Sequence, residues 1–156
     1  KVKWLMSHQK AFECLKKSLT CYPILQNPDF SKEFVLQTDA CDRGLGAVLL
    51  QLDGKDFHPI TFISSKLLPR EQRYSIVEKE CLAIVKACYS LREYLIGKEF
   101  VIETDHFPLQ WLNQMKDHNM RLLRWSLMLQ EYRFVIRHIS GKTNVIADML
   151  SRSFTP

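Results

Sequence analysis

The sequence predicts an α/β fold in which a mixed sheet is flanked by helices. Three β-rich segments come first and are joined by hairpin-type turns, which predicts an antiparallel meander. A long helical segment follows, and two further β-rich segments are then separated by helices, which is typical of parallel pairing. The order βββ-α-β-α-α-β-α therefore indicates a five-stranded sheet, with three antiparallel strands followed by parallel ones.

The composition fits one folded domain with a short appendage. Of 156 residues, 46% are hydrophobic and 25% charged, which excludes a disordered tail or a fibre. The five cysteines form no CxxC pair and the five histidines no HxxxH pair, so a reducing, intracellular setting is favoured over a disulfide scaffold or zinc module. No apolar run reaches membrane-spanning length, so no membrane partner is expected. Because the chain starts at Lys1 without a Met, we interpret it as a piece of something longer.

The first part of the chain contains a helix, a linker and the meander. Apolar residues at spacings of three and four predict a helix over residues 7–20, with Ser7 as its cap. Two prolines make residues 23–31 a linker. The three strands are predicted at Glu33–Thr38, Leu45–Leu52 and Ile60–Ser64.

The second part begins with the longest helix. It is predicted over residues 70–96, after Pro69 and up to Gly97. The remaining elements are a strand at Glu99–Thr104, a short helix from Pro108, a helix at His118–Glu131, a strand at Arg133–Ile139 and a last helix capped by Asn144.

An eight-residue segment occurs twice in the chain. Residues 32–39 (KEFVLQTD) reappear as residues 98–105 (KEFVIETD), with six of the eight positions identical. Each copy ends in Thr-Asp, so Asp39 and Asp105 each lie at the carboxyl end of a predicted strand. If the two strands pair in parallel, the carboxylates become neighbours at the edge where α/β sheets place their sites. Each Asp could instead only cap or turn the chain, which explains two matched copies less well.

Two more acidic residues have unusually apolar neighbours. Glu80 lies where the long helix changes from polar to apolar, and Asp148 has apolar residues on both sides. Alone, each is more typical of a helix boundary or cap than of a ligand. Together with Asp39 and Asp105 they form a set of four carboxylates, whose hard oxygen atoms suit Mg²⁺ or Mn²⁺ rather than Zn²⁺. Such a set is what two-metal phosphoryl chemistry requires, so we expect two ions.

The net charge of +5 is unevenly distributed. Residues 1–33 carry +3, residues 34–110 carry −2 and residues 111–156 carry +4. Basic ends around an acidic middle favour a polyanionic partner and a site that gathers carboxylates. An unevenly charged solvated surface explains the same totals. Only the positions of the acidic residues can distinguish these two interpretations.

Five stretches of the chain resemble one family. They are TDACDRGLGAVLLQ (38–51), ISSKLLPREQRYSIVEKECLAIV (63–85), TDHFPLQWL (104–112), RLLRWSLMLQEYRFVI (121–136) and GKTNVIADMLSRS (141–153). In these stretches the chain resembles the ribonuclease H domain of reverse transcriptases from gypsy-type long-terminal-repeat retrotransposons. The preceding segment WLMSHQKAFECLKKSLTCYPIL (4–25) resembles the end of the polymerase thumb or connection segment.

The resemblance implies an RNase H-like fold, a metal-dependent activity and a site. The activity is hydrolysis of the RNA strand of RNA–DNA hybrids during reverse transcription. The family's metal-binding and catalytic acids fall on Asp39, Glu80, Asp105 and Asp148. The departures, Cys41 where Ser is usual and Met149 where Ala is usual, remove no ligand.

The resemblance also implies how the chain is organised. A polymerase tail and linker would occupy residues 1–32, the nuclease domain residues 33–153 and a C-terminal tail residues 154–156. The polymerase portion of the same polyprotein is then an expected partner. The expected location is intracellular, in a cytoplasmic element particle or in the nucleus.

Several residues are candidates for contacts with the hybrid. Backbone amides near Arg43 and Gly44, and polar groups such as Ser75, are where recognition of the RNA 2′-hydroxyl is expected. His138 is the nearest match to the histidine that assists product release in many ribonucleases H, but a polar residue at a strand end is the simpler interpretation. Basic residues that could follow the phosphate backbone, or simply form a solvated helix face, are Lys116, Arg121, Arg124 and Lys142.

Two other functions remain open at this point. A domesticated or non-catalytic element-derived domain would bind nucleic acid or protein without cutting, but such copies typically lose an acidic ligand and none is lost here. An integrase or resolvase with the same fold would cut DNA, and the segment 4–25 argues against it.

Overall fold

The computed structural model describes residues 4–20, 25–105 and 120–154. Within these ranges the chain forms one five-stranded sheet with helices on both faces, and no helix is long and apolar enough to span a membrane. The predicted short helix from Pro108 lies outside the described residues. The strands are β1 Phe34–Ala40, β2 Gly44–Asp53, β3 Asp56–Lys66, β4 Glu99–Thr104 and β5 Arg133–His138; the helices are α1 Met6–Thr20, α2 Ile76–Ser90, α3 Arg92–Leu95, α4 Met120–Leu129 and α5 Val145–Ser151.

The sheet has the mixed topology that the element order predicts. Its strand order is β3-β2-β1-β4-β5. β2 pairs antiparallel with both β1 and β3, whereas β4 pairs parallel with both β1 and β5. β1 is therefore the central strand, and its parallel neighbour β4 follows β3 in the chain through the α2–α3 crossover.

The repeated segment lies in the neighbouring strands β1 and β4, and its copies pair in register. From Phe34 opposite Phe100 to Gln37 opposite Glu103, each of the four paired residues of one copy faces its own counterpart. The Nε2 atom of Gln37 donates a hydrogen bond to Oε2 of Glu103 at 2.9 Å. Because the two strands run parallel in this register, Asp39 and Asp105, which end the two copies, lie at the same edge of the sheet.

The two faces of the sheet are covered differently. α2 and α4 pack on one face, where Cys81 and Cys88 of α2 and Trp125 of α4 join the main core. Each large apolar side chain that is fully buried contributes about 1.5–3 kcal/mol, so this core stabilises the packing of α2, which carries Glu80, on the sheet. On the other face, Leu150 of α5 packs against a smaller cluster formed by Val35, Val48, Leu50 and Val101.

The long helix begins later than predicted. The chain first forms a 3₁₀ turn at Glu71–Arg73, and α2 begins after Ser75. There the Ser75 hydroxyl accepts from the Glu78 N–H, while the Glu78 carboxylate accepts from the Ser75 N–H. This capping box, rather than Pro69, determines where the helix starts. At the other end, Gly97 follows α3 with a φ of +72°, a conformation that favours glycine.

Candidate active site

Two aspartates meet at the carboxyl ends of neighbouring parallel strands. Asp39 lies near the end of β1 and is 5% exposed. Asp105 follows β4 directly and is half-buried. Parallel strands end at the same sheet edge, so the register of the repeated segment is the reason these carboxylates lie close together.

Glu80 completes a group of three carboxylates from three different elements. Its side chain is 1% exposed on α2, and it accepts a hydrogen bond from the backbone of Ala40. One carboxylate oxygen from each of Asp39, Glu80 and Asp105 lies within 4.8 Å of the others. We call these three residues the carboxylate group.

The electrostatics of the carboxylate group favour a cation. Burial raises the pKa of Glu80 to about 9, and the negative charges of Asp39 and Asp105 add to the shift. Burial also raises the pKa of Asp39, opposed by a hydrogen bond from Ser151 and reinforced by Asp105 and Asp148. Ionised carboxylates that are buried this close together repel one another, and a divalent ion with oxygen ligands removes that cost.

Asp148 lies beside this group but is not one of its three members. It belongs to α5, is half-buried, and its charge contributes to the raised pKa of Asp39. Its Oδ1 accepts a hydrogen bond from Nε of Arg152 at 2.6 Å, one helical turn further on. The structure therefore brings three of the four predicted acids together and leaves the fourth paired with an arginine.

α5 approaches the sheet closely because two glycines of β2 make room for it. A Cβ atom on Gly44 would lie 2.3 Å from the Ser151 carbonyl oxygen, and one on Gly46 would lie 2.1 Å from that of Ala147. Any larger residue at these positions displaces the helix. A glycine inside a strand often marks such an approach, so this signal was present in the sequence.

Two polar side chains of the α5 region attach it to β1. The Ser151 hydroxyl donates to Oδ2 of Asp39, and Nδ2 of Asn144 donates to the carbonyl of Thr38 at 2.9 Å. Asn144 precedes α5, as predicted, but its side chain makes no capping hydrogen bond. No local pattern of the sequence points to Ser151, because its contact joins residues 112 positions apart.

The residues predicted to contact nucleic acid differ in their exposure and in the hydrogen bonds and ion pairs that they already make within the protein. The backbone N–H groups of Arg43 and Gly44 donate weakly to Cys41 Sγ, at 3.4 and 3.3 Å. Ser75 Oγ accepts in the cap of α2, and Arg121 pairs with Glu78. Of the other predicted contacts, Arg43, Arg124 and Lys142 are exposed, and Lys116 lies outside the described residues.

His138 lies next to the carboxylate group. It ends β5, is exposed, and its Nε2 atom lies 3.0 Å from the backbone carbonyl oxygen of Asp105. The following loop also covers that aspartate, since a Cβ on Gly141 would lie 3.0 Å from Asp105 Oδ2. The strand-end position that the sequence predicted is thus confirmed.

Fold and site together define a known class of domain. The family model for the RNase H-like domain found in reverse transcriptase matches residues 29–132, and the chain belongs to this family. The match includes Asp39, Glu80 and Asp105 and ends before β5 and α5.

Curated relatives place the family in transposon polyproteins. The chain is 50% identical over 147 residues to the retrovirus-related Pol polyprotein from transposon 297 of Drosophila melanogaster, covering 94% of this chain and 14% of that protein. It is 40% identical over 155 residues to the transposon Tf2-3 polyprotein of Schizosaccharomyces pombe, covering 96% and 12%. The chain thus spans about one eighth of the length of these relatives.

Solved structures have the same fold. The prototype foamy virus protease–reverse transcriptase superposes with a TM-score of 0.66 at 15% identity, covering 89% of this chain and 19% of that one. LC11-RNase H1 in complex with an RNA/DNA hybrid gives 0.57 at 18% identity, covering 76% and 93%.

Proposed function

We propose that this chain is the ribonuclease H domain of a retrotransposon Pol polyprotein and that it hydrolyses the RNA strand of RNA–DNA hybrids. The observation that carries the proposal is the carboxylate group: three acids from β1, α2 and the end of β4 lie within 4.8 Å of one another in a chain of this family. Three mutually repelling carboxylates serve no packing purpose, whereas they suit divalent metal ions.

Asp39, Glu80, Asp105 and Asp148 would hold the ions, which we propose to be two Mg²⁺ or Mn²⁺ ions. The donor set fits, because all four ligands offer hard oxygen atoms. When bound, such ions supply an activated water and stabilise the leaving oxygen of a phosphodiester.

The chain itself orients the ligands. The Ser151 hydroxyl fixes Oδ2 of Asp39, and the backbone of Ala40 donates to Glu80. Both carboxylates are nearly free of solvent contact, so little reorganisation is needed when charge develops at the phosphate. Arg152, which pairs with Asp148 and whose charge lowers the pKa of Asp39, would supply positive charge for a phosphate at this edge.

The proposed substrate is a hybrid duplex. The LC11-RNase H1 and foamy virus enzymes that share this fold include complexes with RNA/DNA hybrid, which supports the choice. Exposed Arg43, Arg124 and Lys142 supply positive charge for the phosphate backbone. Cleavage is proposed to be restricted to the RNA strand. The 2′-hydroxyl is the group by which the protein would distinguish that strand from DNA.

The organisation around this domain is part of the proposal. Residues 1–32 would belong to the polymerase side, residues 33–153 to the nuclease and residues 154–156 to a tail. α1 supports this division, since its described residues are exposed, including Met6 at 77% and Phe12 at 51%. The polymerase portion is then a partner in the same polyprotein. We place the protein inside the cell, in the element particle or the nucleus.

A cleavage assay tests the function. The purified chain is incubated with a hybrid labelled on its RNA strand, with RNA duplex and DNA duplex of the same sequence as controls. We expect Mg²⁺-dependent cuts in the RNA of the hybrid and none in Asp39→Asn, while Asp56→Asn, an exposed acid of β3, cuts normally. Undiminished cleavage by Asp39→Asn would refute the proposal, and binding without any cutting would favour the non-catalytic alternative.

A further inference from the structure

A buried lysine lies next to Glu80 on α2. The side chain of Lys79 is 7% exposed, whereas that of its partner Asp42 is 94% exposed. Nζ of Lys79 donates to Oδ1 of Asp42 at 2.7 Å, and this hydrogen bond lowers the pKa of Asp42. Withdrawing an ammonium group from water is costly, so a lysine is kept at such a position only with a close anionic partner.

Asp42 belongs to the loop that follows β1, the strand that carries Asp39. We call residues 41–43 the β1–β2 loop; they begin two residues after Asp39. The Cys41 thiol donates to the Ser151 carbonyl of α5 at 3.0 Å, and the Arg43 carbonyl accepts from the Leu67 N–H at 2.8 Å. Lys79 adds an attachment to α2, so the loop is held from three sides.

From this arrangement we infer that Lys79 is a positioning residue for substrate. Its ion pair with Asp42 fixes the β1–β2 loop and so keeps the exposed Arg43 beside the strand end that carries Asp39. Because the loop begins two residues after Asp39, a hybrid bound at the carboxylate group would lie beside it, and binding would not first have to order the loop and its cation. The inference rests on the proposed function, and it adds a residue that does not itself touch the carboxylate group.

The chain offers a matched control on the same helix. Lys86 lies two turns after Lys79, and its Nζ donates to Oε2 of Glu71 at 2.9 Å. Its side chain is 31% exposed and its partner is 8% exposed. This second pair holds the 3₁₀ turn before α2 instead of the β1–β2 loop. Loss of either pair costs stability, but only loss of the first should alter substrate binding.

Steady-state cleavage kinetics separate the two roles. We expect Lys79→Met and Asp42→Asn each to raise KM for the hybrid about fivefold while kcat stays within about twofold, because ordering of the loop is added to the cost of binding. Lys79→Arg keeps the charge and should restore most of the loss. Lys86→Met should lower Tm and leave KM unchanged. Asp42→Asn matters most, since its side chain is exposed and its replacement leaves the core intact.

Amide hydrogen exchange measures how well the β1–β2 loop is ordered in the absence of substrate. The N–H groups of residues 41–44 should exchange faster in Lys79→Met and Asp42→Asn than in the wild-type protein or Lys86→Met. Unchanged loop exchange, or faster exchange with an unchanged KM, overturns the inference. If the wild-type chain fails to cut hybrid, the proposed function fails instead, and fluorescence anisotropy with the uncleaved hybrid then tests whether these variants bind it more weakly.

Discussion

Ser151 and Asp39 are joined by a hydrogen bond across 112 residues of sequence, from the last turn of α5 to the end of β1. The serine is fully buried, and its hydroxyl donates to the Oδ2 atom of a carboxylate whose pKa it lowers against the effect of burial. One oxygen of Asp39, a member of the carboxylate group, is thereby held in place by a residue of α5.

Removal of this hydrogen bond should weaken metal binding. Ser151→Ala leaves Oδ2 of Asp39 without its donor, so the carboxylate loses its orientation and its pKa rises further. We expect the half-saturating Mg²⁺ concentration for cleavage to rise about tenfold. Titration of Mn²⁺ binding by calorimetry provides a readout that does not depend on turnover.

The neighbouring serine provides the control for that experiment. Ser153 is exposed, and its hydroxyl donates to the carbonyl of Met149. Ser153→Ala should leave the Mg²⁺ requirement unchanged. An equal Mg²⁺ requirement in Ser151→Ala and wild type would show that Asp39 needs no fixed partner.

The stability of the metal-free protein should fall as pH rises. Glu80 has an ordinary pKa of 4.5 and a pKa of about 9 in the folded protein. Between these values the folded protein keeps a proton that the unfolded chain has released, so the free energy of unfolding decreases with pH across this window. Urea denaturation in chelator at pH 6 and pH 9 measures the decrease.

Two comparisons identify Glu80 as the group responsible for the pH dependence. Glu80→Gln cannot release a proton and should lose much less stability over the same range. Mg²⁺ binds the folded protein and displaces the proton, so it should stabilise the wild type more at pH 9 than at pH 6. A wild-type stability that stays constant or increases between pH 6 and pH 9 in chelator would contradict the raised pKa.

Gly46→Ala should disable the site by displacing α5. The added Cβ would lie 2.1 Å from the Ala147 carbonyl oxygen and 2.5 Å from the Ser151 nitrogen, both backbone atoms. Overpacking of this kind costs about 1–3 kcal/mol or more. A shift of about 1 Å in Asp148 and Ser151 would also slow cleavage about 100-fold.

Gly54 provides the comparison for that substitution. It has a φ of +65° but has no atom near its Cβ position, so Gly54→Ala should cost about 1–2 kcal/mol through backbone strain while cleavage stays normal. Thermal melting and the cleavage rate are measured for both variants. Normal cleavage by Gly46→Ala would mean that the position of α5 does not matter for the chemistry.

Removal of Arg152 should release Asp148 for the metal site. The arginine is 60% exposed, and exposed pairs of this kind contribute about 0.2–1 kcal/mol. We therefore expect Arg152→Ala to bind Mn²⁺ about two- to fivefold more tightly than wild type, with little change in Tm. Arg152→Lys keeps a cation and should change less. Weaker Mn²⁺ binding by Arg152→Ala would instead make the arginine a support of the ligand set.

Much of this fold and site could be predicted from local sequence patterns. The repeat predicted two parallel strands ending in Asp39 and Asp105, and the topology agrees. The predicted start of α2 was wrong, although the sequence contained the signal for the correct start: Ser75 and Glu78 have the spacing of a capping box. Ser151 and Lys79 could not be assigned, because their partners are distant in sequence and depend on how α5 and α2 pack.

The register of the repeat has a consequence for how the chain encodes its topology. β1 and β4 are near copies of one another and pair in register. Their similar sequences therefore do not explain why β1 has β2 as its other neighbour whereas β4 has β5. That choice lies in the residues that follow each Thr-Asp. After Asp39, a short hairpin connection leads into β2, whose glycines admit α5, whereas the chain after Asp105 continues toward α4 and β5. The connecting segments, and not the two similar strands, therefore determine the order of strands in the sheet.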